Sequence, residues 1–467
     1  MAQFPAPPVG PGGGSWLVLD RFIHRTDRDA EDGGDGTASE LCYTCTDRPI
    51  RASIRVADPP AVSRLRLHWP GRREFRGLVE PHVIAAHDHA ILFEATVPLE
   101  DPMCCGNTYS FPIDHFVYSA FSSPPSLHRL PVCLTGGVST PDEDIYFKPY
   151  QRRQQRLMLE EEMGILCHGR RGEFTVVDFT KFGPEGELCL LHHRAPPPAP
   201  ASQQKKDIEM QWRVKKVLFP KGPSAHYWIT DTIVPVAGRF LCWVDCYQGI
   251  LVVDVLHAKG NSSKDYQLRY IPLPEEALQS DRLDPDGDCP DPARRVGIGA
   301  DGTLKLVCIS RPRSAFTIRS WTLPDINQTK WLEGDTMGAA EFWGLCKAQG
   351  LPQVKPTFPL VSLAHPHEFF FLLEEDHTTY WIVEVNIRDK VLKSSAIYIN
   401  EEEEGCTPDR ARRNVFDGDS FIPSAFSCYL GMNATKSYEL SKMMQKEKQL
   451  RVAQRKSQTE GVEGACC

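Results

Sequence analysis

Short apolar runs separated by polar turns recur along most of the chain. The clearest pair lies in residues 228–256, where residues 240–246 and 250–255 are rich in β-branched and aromatic side chains. Tyr247, Gln248 and Gly249 separate the two runs, and Gly249 is expected to supply the positive φ of a tight reversal. This pattern predicts a β-hairpin.

The same rhythm continues on both sides of this hairpin. Alternating apolar runs occupy residues 16–24, 50–69 and 80–119, and about four clusters of three or four short runs follow from residue 163 onward. This spacing is typical of propellers and large sandwiches, in which stacked units bury a core that one unit cannot bury. We therefore predict a mainly β fold of repeated short antiparallel strands that is β-propeller-like.

Three segments depart from the strand pattern. Residues 1–14 are rich in glycine and proline and predict a flexible, disordered tail, whereas residues 150–162 have the composition of a single connecting helix. Residues 401–467 begin with an acidic run and predict a solvated, partly helical tail. The predicted β-rich body therefore spans residues 15–400, with the N-terminal third in the same body.

Composition limits the classes of function. The chain has 467 residues, of which 41% are hydrophobic and 24% charged, as in an ordinary globular protein. Its net charge of -8, with 53 basic residues among 61 acidic ones, disfavours a nucleic-acid partner. No run approaches the roughly 20 apolar residues of a transmembrane helix.

The N-terminus lacks the basic start and the apolar core of a secretory signal. We therefore predict an intracellular protein of the cytoplasm or nucleus that is not secreted. The 16 cysteines are expected to be reduced in that setting.

One motif resembles a dinucleotide-binding loop. Gly297, Gly299 and Gly302 match G-x-G-x-x-G, but the residues that follow alternate in the manner of a strand, so a hairpin turn is the favoured interpretation. Neither a G-x-S-x-G elbow nor a G-x-x-x-x-G-K-[ST] loop occurs in the sequence. We predict no cofactor.

Cysteines and histidines suggest metal sites, but their spacing along the chain does not fit a zinc site. Cys242 and Cys246 would lie roughly 13 Å apart on one strand, too far to share one zinc ion. Cys42 and Cys45 have better spacing, and further candidate ligands lie in the same third of the chain: Cys104, Cys105, His87, His89 and His115. Because a closed zinc site needs four converging ligands and no second C-x-x-C exists, we predict reduced thiols and no metal.

Two polar segments remain as candidates for chemistry. His365, His367 and Glu368 precede an apolar strand and fit either an acid–base or metal cluster at a sheet end or, as favoured, a polar turn. His192 and His193 at a strand end invite the same two interpretations. The acidic loop at residues 284–288 departs from a calcium loop, because Gly287 comes too early and a proline lies inside.

Several of these segments resemble a known family. Residues 238–245 (GRFLCWVD), 249–251 (GIL) and 270–274 (YIPLP), with Trp228 and Asp231, resemble the plant proteins carrying the domain of unknown function 1618. The resemblance covers most of residues 15–400, with its defining segment at about residues 228–360. That family is distantly similar to the propeller-like regions of F-box proteins, but this chain lacks the F-box. The resemblance implies no activity, cofactor or catalytic residue.

Three hypotheses of function follow. The favoured one is a non-catalytic β-rich scaffold whose loop face binds another protein. The first alternative is an enzyme with a site in the propeller mouth that uses His365, His367, Glu368 or the acidic loop. The second is a membrane-tethered adaptor that is lipidated at Cys466 and Cys467. No catalytic, cofactor-binding or metal-binding residue is predicted.

Overall fold

The computed structural model describes thirteen segments of the chain: residues 16–26, 36–73, 78–99, 111–134, 155–169, 171–194, 210–221, 228–256, 266–279, 293–310, 315–375, 379–399 and 421–430. The strands within them form six sheets, which we number as blades I to VI. Blade I contains β1 (Leu17–Leu19), β2 (His24–Thr26), β3 (Cys42–Tyr43), β4 (Pro49–Arg55), β5 (Val62–His68) and β26 (Ile422–Ser424).

The other blades each contain four strands in chain order. Blade II comprises β6 (His82–His87), β7 (Ala90–Thr96), β8 (Ile113–Ser119) and β9 (Ser126–Arg129). Blade III comprises β10 (Met163–His168), β11 (Glu173–Phe182), β12 (Glu185–His193) and β13 (Trp212–Leu218). Blade IV comprises β14 (Thr232–Val236), β15 (Phe240–Asp245), β16 (Gly249–Asp254) and β17 (Arg269–Pro272).

Blades V and VI complete the ring. Blade V comprises β18 (Arg294–Ile298), β19 (Leu304–Ile309), β20 (Thr317–Leu323) and β21 (Leu332–Gly338). Blade VI comprises β22 (Thr357–Val361), β23 (Glu368–Glu374), β24 (Tyr380–Asn386) and β25 (Val391–Ile399). Two helices, α1 (Glu275–Gln279) and α2 (Ala339–Ala348), lie in the connections from blade IV to V and from blade V to VI.

The arrangement is a six-bladed β-propeller, which confirms the predicted mainly β, propeller-like fold. The first strands of neighbouring blades contact one another, from β6 through β10, β14 and β18 to β22, so they lie innermost. We call the face at which these strands begin the entry face and the opposite face the exit face. Because the strands in blades II to VI are antiparallel, connections between blades and turns between second and third strands lie on the entry face.

The ring is closed by the two ends of the described chain. β26 pairs antiparallel with β1, with Leu17 opposite Ser424, and β26 also contacts β6. Behind it, Phe426 is fully buried and packs against Tyr118 of blade II, with the two ring centroids 5.3 Å apart. Residues 422–424, within the segment predicted to be a C-terminal tail, therefore supply the innermost strand of blade I.

The central hairpin forms as predicted, but Gly249 has a different role. β15 and β16 pair with Val244 opposite Ile250. Gly249 does not adopt a positive φ. A Cβ atom there would lie 2.5 Å from the carbonyl oxygen of Ile271, so glycine is required by the close approach of β17.

The helix predicted for residues 150–162 is wrong over the part that the structure describes. Residues 155–159 have no helical structure, and only Glu160–Glu162 forms a single 3-10 turn before β10. Gln155 bonds to both backbone groups of Ile113, at 2.9 and 3.2 Å. These tertiary contacts override the helix-forming composition.

Within the described segments, no helix is long and apolar enough to cross a membrane.

Candidate functional site on the entry face

Large apolar side chains are exposed on the entry face over blades III and IV. Leu218 is 75% exposed, Ile229 70% and Leu157 64%, the three highest values among the large apolar side chains that the structure describes. Leu159 and Tyr247 are also exposed. We call these five residues the blade III–IV surface. Their exposure on one face is unlike the scattered single apolar residues of ordinary surfaces.

Each member of the blade III–IV surface is placed by a strand end. Leu157 and Leu159 lead into β10, and Leu218 is the last residue of β13, opposite Glu185 at the start of β12. Ile229 leads into β14, and Tyr247 lies in the β15–β16 turn. The exposed side chains therefore extend from the inner strand of blade III to its outer strand and onto blade IV.

One buried carboxylate fixes the blade IV part of this surface. Asp245 accepts the backbone N–H of Ile229 at 3.1 Å through one oxygen and that of Tyr247 at 2.8 Å through the other. The side chain of Gln248 donates to it as well, at 2.7 Å. Burial raises the pKa of Asp245, although these donors oppose the shift. Ile229 and Tyr247 are thus held outward by a rigid support.

Two tryptophans form the layer below. Trp243 is fully buried and its Nε1 donates to the backbone oxygen of Glu162 at 3.1 Å. Trp228 donates from Nε1 to the hydroxyl of Thr230, and its own carbonyl accepts Lys181 Nζ at 2.6 Å. These contacts tie the 3-10 turn of blade III to the strand that enters blade IV.

Glu162 is the titratable group with the most unusual setting on this surface. Its Oε2 accepts the Thr230 hydroxyl at 2.9 Å. Burial raises the pKa of Glu162 to about 8; the Thr230 hydrogen bond and the charge of Lys181 oppose the shift, and Asp178 adds to it. The carboxyl therefore keeps its proton near neutral pH.

A second charged group lies deeper, between blades II and III. The core between these blades is apolar toward the exit face and becomes polar toward the entry face, where His82 contacts Glu160 and His115 Nε2 lies 3.3 Å from Glu94 Oε2. Since Glu160 directly precedes blade III, its contact with His82 joins blade II to blade III, whereas His115 and Glu94 both belong to blade II.

Arg156 completes this junction from the blade III side. Its guanidinium donates to Glu187 at 2.9 Å and to the Thr180 hydroxyl at 3.2 Å, and reaches Asp178 Oδ2 at 3.5 Å. Burial raises the pKa of Asp178 to about 6, and Arg156 opposes the shift. The arginine thus anchors the segment that displays Leu157 and Leu159.

The histidines and glutamate singled out in the sequence lie elsewhere, on the exit face of blades V and VI. His367 Nδ1 lies 2.8 Å from Asp335 Oδ2, and Arg388 Nε lies 3.2 Å from Asp335 Oδ1. His365 is exposed, and its backbone N–H donates to Ser362 Oγ at 3.2 Å. This segment is a polar turn that connects blade VI to the outer strand of blade V.

Glu368 is buried beside a second carboxyl. Lys393 Nζ lies 3.9 Å from Glu368 Oε1, and Ser394 donates to the neighbouring Glu384. Burial raises the pKa of Glu384, and the nearby charge of Glu368 raises it further. The two carboxyls therefore have their partners, Lys393 and Ser394, within the same blade.

The proposed metal ligands do not converge. Cys45 is buried and its N–H donates to Asp114 at 2.6 Å, whereas His87 accepts the N–H of Cys167 at 2.9 Å near the exit face. The described segments hold no group of three His, Cys, Asp or Glu side chains arranged for a metal ion. The other candidates from the sequence are spread over blades II, III and IV, in strands or in the turns next to them: His89, His115, His192, His193, Cys242 and Cys246.

The glycine motif at residues 297–302 is a hairpin turn, as predicted. Gly299 donates its N–H to the carbonyl of Thr303 at 2.9 Å, and Gly302 has φ of 74°. Several other candidates lie outside the described residues: Cys104, Cys105, the acidic loop at residues 284–288, Cys466 and Cys467.

Sequence reasoning missed the blade III–IV surface. Leu157 and Leu159 were assigned to a helix, and Leu218 was part of a predicted strand without a predicted exposure. Ile229 gave the clearest available signal, since it is a large apolar residue in a connection that directly precedes a strand. Which strand ends meet on one face depends on how the six blades close into a ring. No local sequence pattern predicts that closure.

Comparison with known proteins identifies a family segment. Residues 243–370 match the family model described as "Protein of unknown function (DUF1618)", which confirms the resemblance to the domain of unknown function 1618 over this segment. No curated protein matches the chain.

Solved structures also match this chain, at low similarity. Prolyl oligopeptidase B from Galerina marginata is 9% identical with a TM-score of 0.33, and the match covers 83% of this chain and 45% of that enzyme. The polysaccharide lyase Uly1 is 8% identical with a TM-score of 0.32, covering 84% and 90% of the two chains. A protein of unknown function from Dyadobacter fermentans is 10% identical with a TM-score of 0.31, covering 82% and 97%. No function is transferred at these similarities.

Proposed function

We propose that this protein is a non-catalytic β-propeller scaffold that binds another protein through the blade III–IV surface. The observation that carries the proposal is the exposure of Leu218, Ile229 and Leu157 on one face. Burying one such side chain contributes about 1.5–3 kcal/mol. A partner that covers all three gains a large driving force, which a smooth polar face would not provide.

The rigidity of this surface supports the same role. Asp245 holds the backbone at Ile229 and Tyr247, and Arg156 holds the segment before Leu157. A surface that is already ordered loses little conformational entropy when a partner binds. Exposed apolar groups with a polar surround and a fixed backbone are the features of a protein interface.

The polar turn on the exit face favours the scaffold over an enzyme of the propeller mouth. His367 is engaged by Asp335, and Glu368 is buried next to Glu384 and Lys393. The side chains of His367 and Glu368 therefore have their partners within blades V and VI. Their arrangement supports a structural role.

The setting of the cysteines supports an intracellular site of action. Eight of the ten cysteines in the described residues are buried free thiols. Burial raises the pKa of Cys242 and Cys45 well above the usual range of a thiol, which keeps them protonated and unreactive. Fractionation of cells that express the chain would check this, and recovery in the culture medium would contradict it.

The test of the function is a comparison of two double variants. Leu218→Asp with Ile229→Asp places charge on the blade III–IV surface, and Leu332→Asp with Val391→Asp places the same charge on exposed apolar positions of blades V and VI. Affinity purification with mass spectrometry from expressing cells is followed by binding measurements with the purified partner. We expect the surface variant to weaken binding roughly 100-fold or more, with the control unchanged.

Thermal unfolding of both variants checks that the propeller remains folded. A stoichiometric partner held equally well by both double variants would contradict the proposed surface. The absence of any reproducible partner of the wild-type chain would contradict the scaffold function itself.

A further inference from the structure

We propose, on the basis of the proposed function, that the partner presents a lysine or arginine flanked by apolar residues. The basic group pairs with Glu161 and Glu162, and its apolar neighbours pack on Leu159, Ile229 and Tyr247. The blade III–IV surface is thereby assigned a class of partner. Glu162 is assigned as a residue that determines specificity.

The first support is the position of the 3-10 turn. Glu160–Glu162 follows Leu159 directly and precedes the innermost strand of blade III. It therefore places three successive carboxyls beside the exposed apolar side chains. A ligand that covers Leu159 therefore places neighbouring groups next to this turn.

The second support is the pairing of these carboxyls. Glu160 contacts His82, whereas Glu161 is exposed and the Glu162 side chain accepts the Thr230 hydroxyl. In the part of the chain that the structure describes, no lysine, arginine or histidine forms an ion pair with Glu161 or Glu162. The charge of Lys181 lowers the pKa of Glu162, but the Nζ of Lys181 donates its hydrogen bond to the carbonyl of Trp228.

The third support is the surroundings of Glu162. Its backbone oxygen is bonded by the buried Trp243, and its carboxyl is fixed by Thr230, so the side chain cannot turn away to bulk water without losing that bond. An ion pair in such a partly dehydrated place is stronger than one on an open surface. An acidic ligand group would be repelled by the exposed Glu161 carboxylate, and an apolar one would cover the Glu162 carboxyl without offering it a counter-charge.

The pairing has a consequence for pH. Burial holds the pKa of Glu162 at about 8 in the free protein, whereas a cation beside it favours the ionised form. Binding therefore releases a proton when the pH is below 8. The affinity should rise with pH from 6 to 8, by at most about tenfold per pH unit, and level off above that.

The experiment uses the full chain and a display library of 12-residue peptides as the probe. One central position is fixed as Arg, Lys, Gln or Glu in four sub-libraries, and the other positions vary. At pH 8 we expect selection from the Arg and Lys sub-libraries, with apolar residues enriched near the centre. Selected peptides should lose binding to Leu218→Asp with Ile229→Asp.

Two single variants then locate the charge. Glu162→Gln should weaken the selected peptides roughly tenfold and flatten the pH dependence between 6 and 8. Glu161→Gln should weaken them to a smaller extent, because that carboxyl is exposed. Glu333→Gln removes an exposed carboxyl on β21 of blade V and should change nothing.

The outcomes separate this inference from the function on which it rests. Peptides that need Leu218 and Ile229 but show no preference for a basic residue would overturn the inference and leave the proposed function standing. Selected peptides that ignore the Leu218 and Ile229 variant would overturn the proposed surface. Selection of acidic peptides, or self-association of the chain through this surface in sedimentation, would also overturn the inference.

Discussion

The blade III–IV surface and the His365–Glu368 turn contain very different chemistry on opposite faces of the propeller. The turn has the residue types of an active site, yet His367 is bonded to Asp335 and Glu368 is buried beside Glu384. The surface has ordinary apolar residues, yet Leu218 and Ile229 are left exposed. In these two regions, the residues with suggestive chemistry are engaged by other side chains of the propeller, and the residues without it are exposed.

An aspartate is central to each region, with different consequences. Asp335 accepts two side chains, from His367 and Arg388, and so connects the turns of blade VI to blade V. Asp245 accepts backbone N–H groups at Ile229 and Tyr247, and so fixes the chain while their side chains point outward. Asp335 therefore bonds to polar side chains of the neighbouring blade, whereas Asp245 fixes the backbone beneath exposed apolar side chains.

The largest expected effect concerns Glu162 and pH. Its folded-state pKa of about 8 lies above the ordinary value of 4.5, so the folded chain binds more protons than the unfolded chain between those pH values. Stability is therefore lost as the pH rises from about 4.5 to 8. Glu162→Gln lacks this loss and should be more stable than the wild type by roughly 2–4 kcal/mol at pH 8.5, with little difference at pH 4.

Urea unfolding of both proteins across this pH range gives the comparison. Groups that do not interact with Glu162 titrate alike in both proteins and cancel in the difference. Parallel stability curves for the wild type and Glu162→Gln would show that the carboxyl ionises as it would in water.

The next effect concerns the turn that displays Tyr247. In Gly249→Ala the new Cβ would meet the Ile271 carbonyl and the Tyr270 ring, both at 2.5 Å, so β17 must shift. We expect a loss of about 1–3 kcal/mol in the free energy of unfolding. Gly344→Ala is the matched control, because no atom lies within 4 Å of its Cβ and alanine favours the α2 helix. Equal effects would contradict the close approach.

Gly249 also shows what could be predicted from the sequence. The strands on both sides were predicted, because alternating β-branched and aromatic residues are a local signal. The reason why residue 249 must be glycine was not predicted, because the clash with Ile271 depends on where β17 lies beside β16. Likewise, blades III to VI correspond to the four clusters of short strands predicted from residue 163 onward, where each blade is continuous in the chain.

The parts that sequence reasoning missed depend on closure. β26 contributes only Ile422–Ser424 within a polar stretch, and it becomes a strand because β1 is there to receive it. Residues 155–159 were assigned to a helix because of their composition, but Gln155 and Arg156 are held by partners on blades II and III. The exposure of Leu157 follows from those anchors and has no local signature.

The smallest expected effect tests the structural role of the exit-face turn. His367→Ala removes a hydrogen bond to Asp335, which keeps Arg388, so the free energy of unfolding should fall by about 1 kcal/mol. His365→Ala removes an exposed side chain and should cost less than half of that. Both variants should bind the partner of the blade III–IV surface as tightly as the wild type. If His367→Ala instead kept full stability and lost that binding, the two faces would be coupled, and the division between a stabilising turn and a binding surface would be wrong.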